Sequence, residues 1–231
     1  MKNIWMGNIS YEQGLESQAQ CVESVKDQGT PVVIGCEHPF VITLGIRGKE
    51  SEDLNTDLIN SLDEQQKPHL VHAKRGGQAT LHSPGQLVIY PIVNLRTHGL
   101  SVREYVHFLE ETTLDLLRHI GLAAKRCPNE PGIIGPNGKL VAFGIRIQNG
   151  VASHGLAINS HNDLDLFKCI RSCGVPDRNH DRVSDHIHNV SNEILFELWT
   201  RYFSKSLPTE AFEWSPPKTE GLEITEVLPK D

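Results

Sequence analysis

The sequence predicts an α/β or α+β domain whose sheet is at least partly antiparallel. Three observations carry that expectation. Two segments keep a helical apolar period behind a capping signal. Short β-branched runs bounded by glycine or proline lie between and after them. The pair Asn149-Gly150 sits between two apolar stretches, a strong hairpin signal, and a hairpin requires an antiparallel pair. The 231 residues fit one large domain, and 38% hydrophobic content suffices for its core. Residues 1–205 read as that domain and 206–231 as an irregular acidic tail with prolines.

The first helix is expected to start at Ser10, with Gln13 as its capping-box partner. Tyr11, Leu15, Val22 and Val25 form its stripe, and Gly29 ends it. The second starts at Ser101 with Glu104 as partner. Its stripe runs Val102, Tyr105, Val106, Leu109, Leu116, Leu117 and Ile120, ending at Gly121. Strands are expected at 31–36, 41–44, 69–73 and 87–93. In the hairpin, 140–148 and 151–159 are the arms. A two-residue loop then sets Ala142 against Ala157, Phe143 against Leu156, and Gly144 against Gly155. Two facing glycines leave either a groove for a ligand or a close packing contact.

The formal charge of −7, from 29 acidic and 22 basic residues, argues against a general nucleic-acid binder. No apolar run approaches the length of a membrane span, and the first residues lack a signal-peptide core. A cytoplasmic protein is expected. The five cysteines are scattered and odd in number, which fits reduced thiols, one or more of them reactive.

Four segments invite chemistry. Residues 74–86 hold Gly76-Gly77 and Pro84-Gly85, which let backbone N–H groups approach a ligand, while Arg75, Thr80 and His82 could hydrogen-bond to it. The spacing matches neither a P-loop nor a dinucleotide fingerprint. Cys173-Gly174 follows a short helical stretch at 163–170, and Cys169, four residues earlier, is the rival thiol. Lys139 follows Gly138 at the hairpin entrance and would need partial burial to exchange protons with a thiol. His180, Asp181, Asp185, His186 and His188 lack a metal-site spacing, so no metal is expected. His154 is open between ligand contact and sheet surface.

Together these segments resemble the lipoyl(octanoyl) transferase family, the octanoyltransferases of lipoate biosynthesis (LipB). The resemblance runs through Glu37-His38-Pro39, Thr43-Leu44-Gly45, Arg75 to His82 with Pro84-Gly85-Gln86, Gly138-Lys139 with Ala142-Phe143-Gly144, His154 to Asn159, and Cys173-Gly174. The family usually has Tyr where this chain has Leu81, Gly at Ser83 and Pro at Ser172. The resemblance implies a biotin/lipoate protein ligase-like fold, a mixed sheet flanked by helices and related to the class II aminoacyl-tRNA synthetase core. It implies Cys173 as nucleophile, Lys139 as acid and base, and no cofactor. It implies a substrate site at Arg75, Gly76, Gly77, Gln78, Ala79, Thr80, Leu81, His82, Ala142, Phe143, Gly144, Gly155, Leu156 and Ala157. The implied donor is octanoyl-acyl carrier protein. The implied acceptors are lipoyl domains of 2-oxoacid dehydrogenase E2 subunits and the glycine-cleavage H protein. Both kinds of partner are typically acidic, so docking should use Lys74, Arg75, Arg146, Lys168, Arg171 and Arg178. The alternatives are an ATP-dependent lipoate or biotin ligase, which needs no nucleophilic cysteine, and a non-catalytic acyl-binding module.

Overall fold

The computed structural model describes residues 1–171 and 178–208. Among them the strands are β1 (Lys2–Asn8), β2 (Val32–Glu37), β3 (Val41–Leu44), β4 (His69–His72), β5 (Ala79–His82), β6 (Gln86–Asn94), β7 (Lys125–Arg126), β8 (Gly132–Ile134), β9 (Lys139–Gln148) and β10 (Val151–Asn159). The helices are α1 (Tyr11–Gln28), α2 (Glu50–Asp53), α3 (Thr56–Ser61), α4 (Val102–His119) and α5 (Asn192–Ser206).

Seven strands form a sheet in the order β1-β2-β6-β10-β9-β8-β7. The β1–β2 pair is parallel and the others are antiparallel, so the sheet is mixed. A second sheet, β4-β3-β5, lies beside it. Successive side chains of β6 alternate between two buried faces. Leu87, Ile89 and Val93 meet α4 and α5 in a core that includes Tyr105, Leu109, Trp199 and Phe203. Val88, Tyr90 and Ile92 meet Val25 of α1 on the other face. Burial on both faces explains why this strand reads as a continuous apolar run. A third cluster, with Ile42, Leu44, Leu81, Phe167 and Cys169, fills the outer side of the small sheet.

Both expected helices form with both halves of their capping boxes, Ser10 with Gln13 and Ser101 with Glu104. Gly29 closes α1 in the left-handed conformation. Asn149 and Gly150, at φ 53° and 87°, build the hairpin loop, and the register pairs Ala142 with Ala157, Phe143 with Leu156, and Gly144 with Gly155. The short stretch at 163–170 is a 3-10 helix over Asp165–Cys169. The segment 74–86 is not all loop, because β5 occupies its middle and pairs with β3.

The β6–β10 ladder is interrupted where the site lies. Pairs form at Ala152–Val93 and Leu156–Ile89, but not between them. Pro91 lies in the gap and has no N–H to give, while His154 turns to φ 54°. The freed polar groups find side chains instead. Gln18 of α1 accepts from the His154 N–H at 2.8 Å, and Tyr105 of α4 donates to the Pro91 carbonyl at 3.0 Å. Among the described residues, no helix is long and apolar enough to cross a membrane. The expected tail lies, from 209 onward, outside the described residues.

Candidate active site

A narrow cavity of about 50 Å³ lies between β5 of the small sheet and β6, β9 and β10 of the large one, with Tyr11 of α1 in its wall. The expected substrate segments meet there. Residues 77–80 and His82 line it from one side, 142–144 and 155–157 from the other, with Arg75 between them. Two expected residues fall elsewhere. Gly76 lines a neighbouring cavity of about 390 Å³ together with Glu130, and that cavity shares Gly77, Gln78, Phe143 and Gly144 with the narrow one. Leu81 points to the opposite face of β5, fully buried against the third cluster. Strand alternation sends Thr80 and His82 to the cavity and Leu81 away from it. The substitution of Leu81 for the family's tyrosine therefore changes the outer packing and not this cavity. Ser83 is buried too, and its hydroxyl has no hydrogen-bond partner among the described residues.

The facing glycines have separate reasons. A Cβ on Gly155 would lie 2.2 Å from the Ile89 carbonyl oxygen and 2.5 Å from Pro91 Cδ. A Cβ on Gly144 would lie 3.1 Å from Arg75 Cδ. Both line the cavity, but their missing side chains make room for protein atoms. Arg75 is itself buried. Its guanidinium donates to Thr43 Oγ1 and to the carbonyls of Thr43 and Gly76. It therefore cannot serve the exposed docking face expected of it. Lys168, Arg171 and Arg178 do gather around one cleft, which does not include Lys74 or Arg146.

Polar aromatic side chains form part of the wall. His38 donates from Nδ1 to the Ile9 carbonyl at 2.9 Å, so its bare Nε2 accepts from the Tyr90 hydroxyl at 2.8 Å. His82 stacks on Tyr11 and presents an edge to His38. Burial, reinforced by His38 and Arg75, pushes the His82 pKa down to about 3. Burial and Arg75 push His154 down to about 4. Burial pushes Tyr11 up to about 12. All three are neutral near pH 7. His154 is thus a cavity residue and not part of an exposed sheet surface.

Lys139 opens β9 and is only 4% exposed. Its Nζ lies 2.8 Å from Glu130 Oε1, and the same carboxylate receives Arg178. Gly132 packs against the lysine stem, where a Cβ would lie 3.3 Å from Lys139 Cε and 2.9 Å from Cys127 Sγ. The Lys139 backbone is held by Asn179 and Asp181, which pair with its N–H and carbonyl at 2.9 and 3.0 Å. Cys173 lies outside the described residues; C-terminal to it, Arg178 shares Glu130 with Lys139, and His180 pairs with the Lys139 backbone. Cys169 is buried among apolar groups, and burial pushes its thiol up, away from reactivity. In the histidine-rich run, Asp181 is buried and pairs with His186 and the Asn137 N–H, while His180 stacks on Phe167.

Sequence reasoning missed Glu130, Tyr11, Tyr90 and Asn159 as members of the site. Glu130 stands alone in Pro128-Asn129-Glu130-Pro131, with no periodic or spacing signal. Tyr11 and Tyr90 read as core positions, and they reach the cavity only because α1 and β6 frame it.

A family model described as the lipoyl protein ligase A/B catalytic domain matches residues 10–204. An octanoyltransferase of Pelobacter propionicus is 34% identical over 171 residues, covering 74% of this chain and 77% of that protein. An octanoyltransferase of Porphyromonas gingivalis is 34% identical over 203 residues; the match covers 82% of this chain but 40% of that longer protein. A crystal structure of lipoate-protein ligase A bound with ATP superposes with a TM-score of 0.73 at 17% identity, covering 88% of this chain and 84% of that one. That last likeness concerns the fold alone, and with it the expected ligase-like fold is observed. Taken with the cavity between the two sheets and the buried lysine at the start of a strand that lines it, these matches establish that the chain belongs to the octanoyltransferase (LipB) family, on the lipoyl protein ligase A/B catalytic domain.

Proposed function

We propose that this protein transfers an octanoyl group from octanoyl-acyl carrier protein to a lysine of a lipoyl domain, through a thioester on Cys173 with Lys139 as acid and base. The observation that carries the reading is Lys139, an amine 4% exposed on the strand that also lines the narrow cavity. A buried ammonium is costly unless paired, and Glu130 supplies the pair. A lysine held this way serves proton transfer better than solubility.

As the neutral amine, Lys139 takes the Cys173 proton and becomes the ammonium that Glu130 pairs, and the thiolate attacks the donor thioester. The carbon–sulfur bond to the carrier breaks as the new one forms, and Lys139 returns the proton to the departing thiolate. The acceptor amine then attacks the acyl-cysteine, gives its proton to Lys139, and the cysteine thiolate recovers it. One thioester replaces another, so no ATP is required. The Gly76 N–H is taken by the Ile145 carbonyl at 2.9 Å, so the Gly77 N–H or those of Cys173-Gly174 would hold the oxyanion. Burial of the chain's carbons, at about 0.8 kcal/mol each, would select its length. The pocket residues are Arg75, 77–80, His82, 142–144 and 155–157; Gly76 and Leu81 have left that set. We take 1–205 as one catalytic domain acting in the cytoplasm. The acceptors are E2 lipoyl domains and the glycine-cleavage H protein, docked over Lys168, Arg171 and Arg178.

The test mixes the protein with octanoyl-acyl carrier protein and a lipoyl domain in the absence of nucleotide. An octanoyl mass gain on the lipoyl domain is expected. Transfer that requires ATP and free octanoate would instead establish a ligase.

A further inference from the structure

We propose that His82 is the hydrogen-bond acceptor that orients the attacking amine, its polarity fixed by a chain of amides that begins on the backbone carbonyl of Lys139. The role rests on the transferase reading above, whereas the polarity rests on geometry. A carbonyl oxygen only accepts, so Asn159, 3.3 Å from it, must present Nδ2. The Asn159 Oδ1 then faces the other way and accepts from Gln86 Nε2 at 3.0 Å and from Asn162 Nδ2 at 3.3 Å. That leaves Gln86 Oε1 toward His82 Nδ1, at 2.7 Å. Facing an oxygen acceptor, Nδ1 must carry the proton. In a neutral imidazole Nε2 is then bare. Gln86, Asn159, Asn162 and His82 are all buried, so water does not compete along the chain.

His82 lines the cavity, and its Nε2 is not among the sealed, unpartnered buried atoms. It makes no other hydrogen bond among the described residues. It therefore faces the cavity as an acceptor in want of a donor. A fatty tail offers none. The donors that arrive with substrates are the amides of the carrier arm and the amine of the acceptor lysine. Of the two, only the amine must be aimed at a carbonyl carbon, so it is the donor assigned to His82. Burial, His38, Arg75 and His154 keep this imidazole too weak a base to remove the proton. It holds one N–H while the other proton goes to Lys139.

The test separates loading from transfer in single turnover, using preformed acyl-enzyme and a lipoyl domain, and reads the His82 ring by nitrogen NMR. The unaltered protein should show the proton on Nδ1. His82→Asn keeps a donor toward Gln86 but has no atom where Nε2 stood. It should slow transfer about tenfold to a hundredfold more than loading, the worth of one hydrogen bond to a charged or developing-charge group. His82→Gln restores an acceptor oxygen near that place and should recover part of the loss. Gln86→Glu cannot donate to Asn159 and draws a proton onto His82, so transfer should fall more steeply toward acid than in the unaltered enzyme, where only the amines must lose a proton. A proton on Nε2 in an enzyme that loads normally, or equal slowing of loading and transfer in His82→Asn, overturns the role. If the unaltered protein forms no acyl-enzyme at all, the transferase reading fails and takes the role with it, while the NMR result still decides the polarity.

Discussion

Gly155 shows how closely the cavity wall is fitted at the scale of one residue. The nearest obstacles to a side chain there are the Ile89 carbonyl, 2.2 Å from the Cβ position, and the Pro91 ring. Neither is the free end of a flexible side chain, so Gly155→Ala must spread β10 from β6. The expected cost is about 2–3 kcal/mol, in the range of overpacked cores, measured by denaturant unfolding. A loss below about 0.5 kcal/mol would mean that the strands separate more easily than their packing implies. The glycine was legible in sequence as a site where backbone approaches something, but the identity of that something was not. A sequence cannot tell a ligand from a carbonyl on a strand more than sixty positions away. Lys139 was legible only through its family context. Its burial depends on Glu130, Gly132 and Asn179, which are brought together by the sheet edge and leave no local pattern.

Elements were read best where the signal is local. Capping boxes, a left-handed glycine and the Asn-Gly loop each act within a few residues, and each stands where expected. β1, β8 and α5 gave no such signal to that reading, and they are defined by what they pack against. The edge strand β1 pairs in parallel with β2 across the length of α1, and β5 owes its extended form to pairing with β3. The hairpin carries its own prediction. Gly150 sits at φ 87°, and a Cβ there would approach the flexible Arg96 side chain at 2.9 Å. Arg96 can move, so the backbone conformation sets the cost. Gly150→Ala should lose about 1 kcal/mol without changing the register that pairs Gly144 with Gly155. A larger loss, or a changed cavity by ligand titration, would show that the loop shapes the site and not merely the turn.

The whole molecule should weaken in acid for a reason built into the site. His82 and His154, held down to about 3 and about 4 by burial, are neutral in the fold, whereas in the unfolded chain they protonate near 6.5. The unfolded state therefore binds more protons below pH 6.5. Stability is complete above that value and falls as pH drops toward the two folded-state values. Each histidine contributes a slope of at most about 1.4 kcal/mol per pH unit. Denaturation midpoints between pH 7.5 and 4.5 should decline, and the decline should be shallower in His154→Gln. A flat profile would show that these rings are hydrated in solution.

The central claim concerns one sulfur and one amine, and intact-mass spectrometry after mixing with octanoyl-acyl carrier protein alone tests it most directly. The account predicts a gain of one octanoyl group that Cys173→Ala abolishes and Cys169→Ala leaves in place. An adduct that survives Cys173→Ala, or no adduct in a protein that still modifies lipoyl domains, would contradict it.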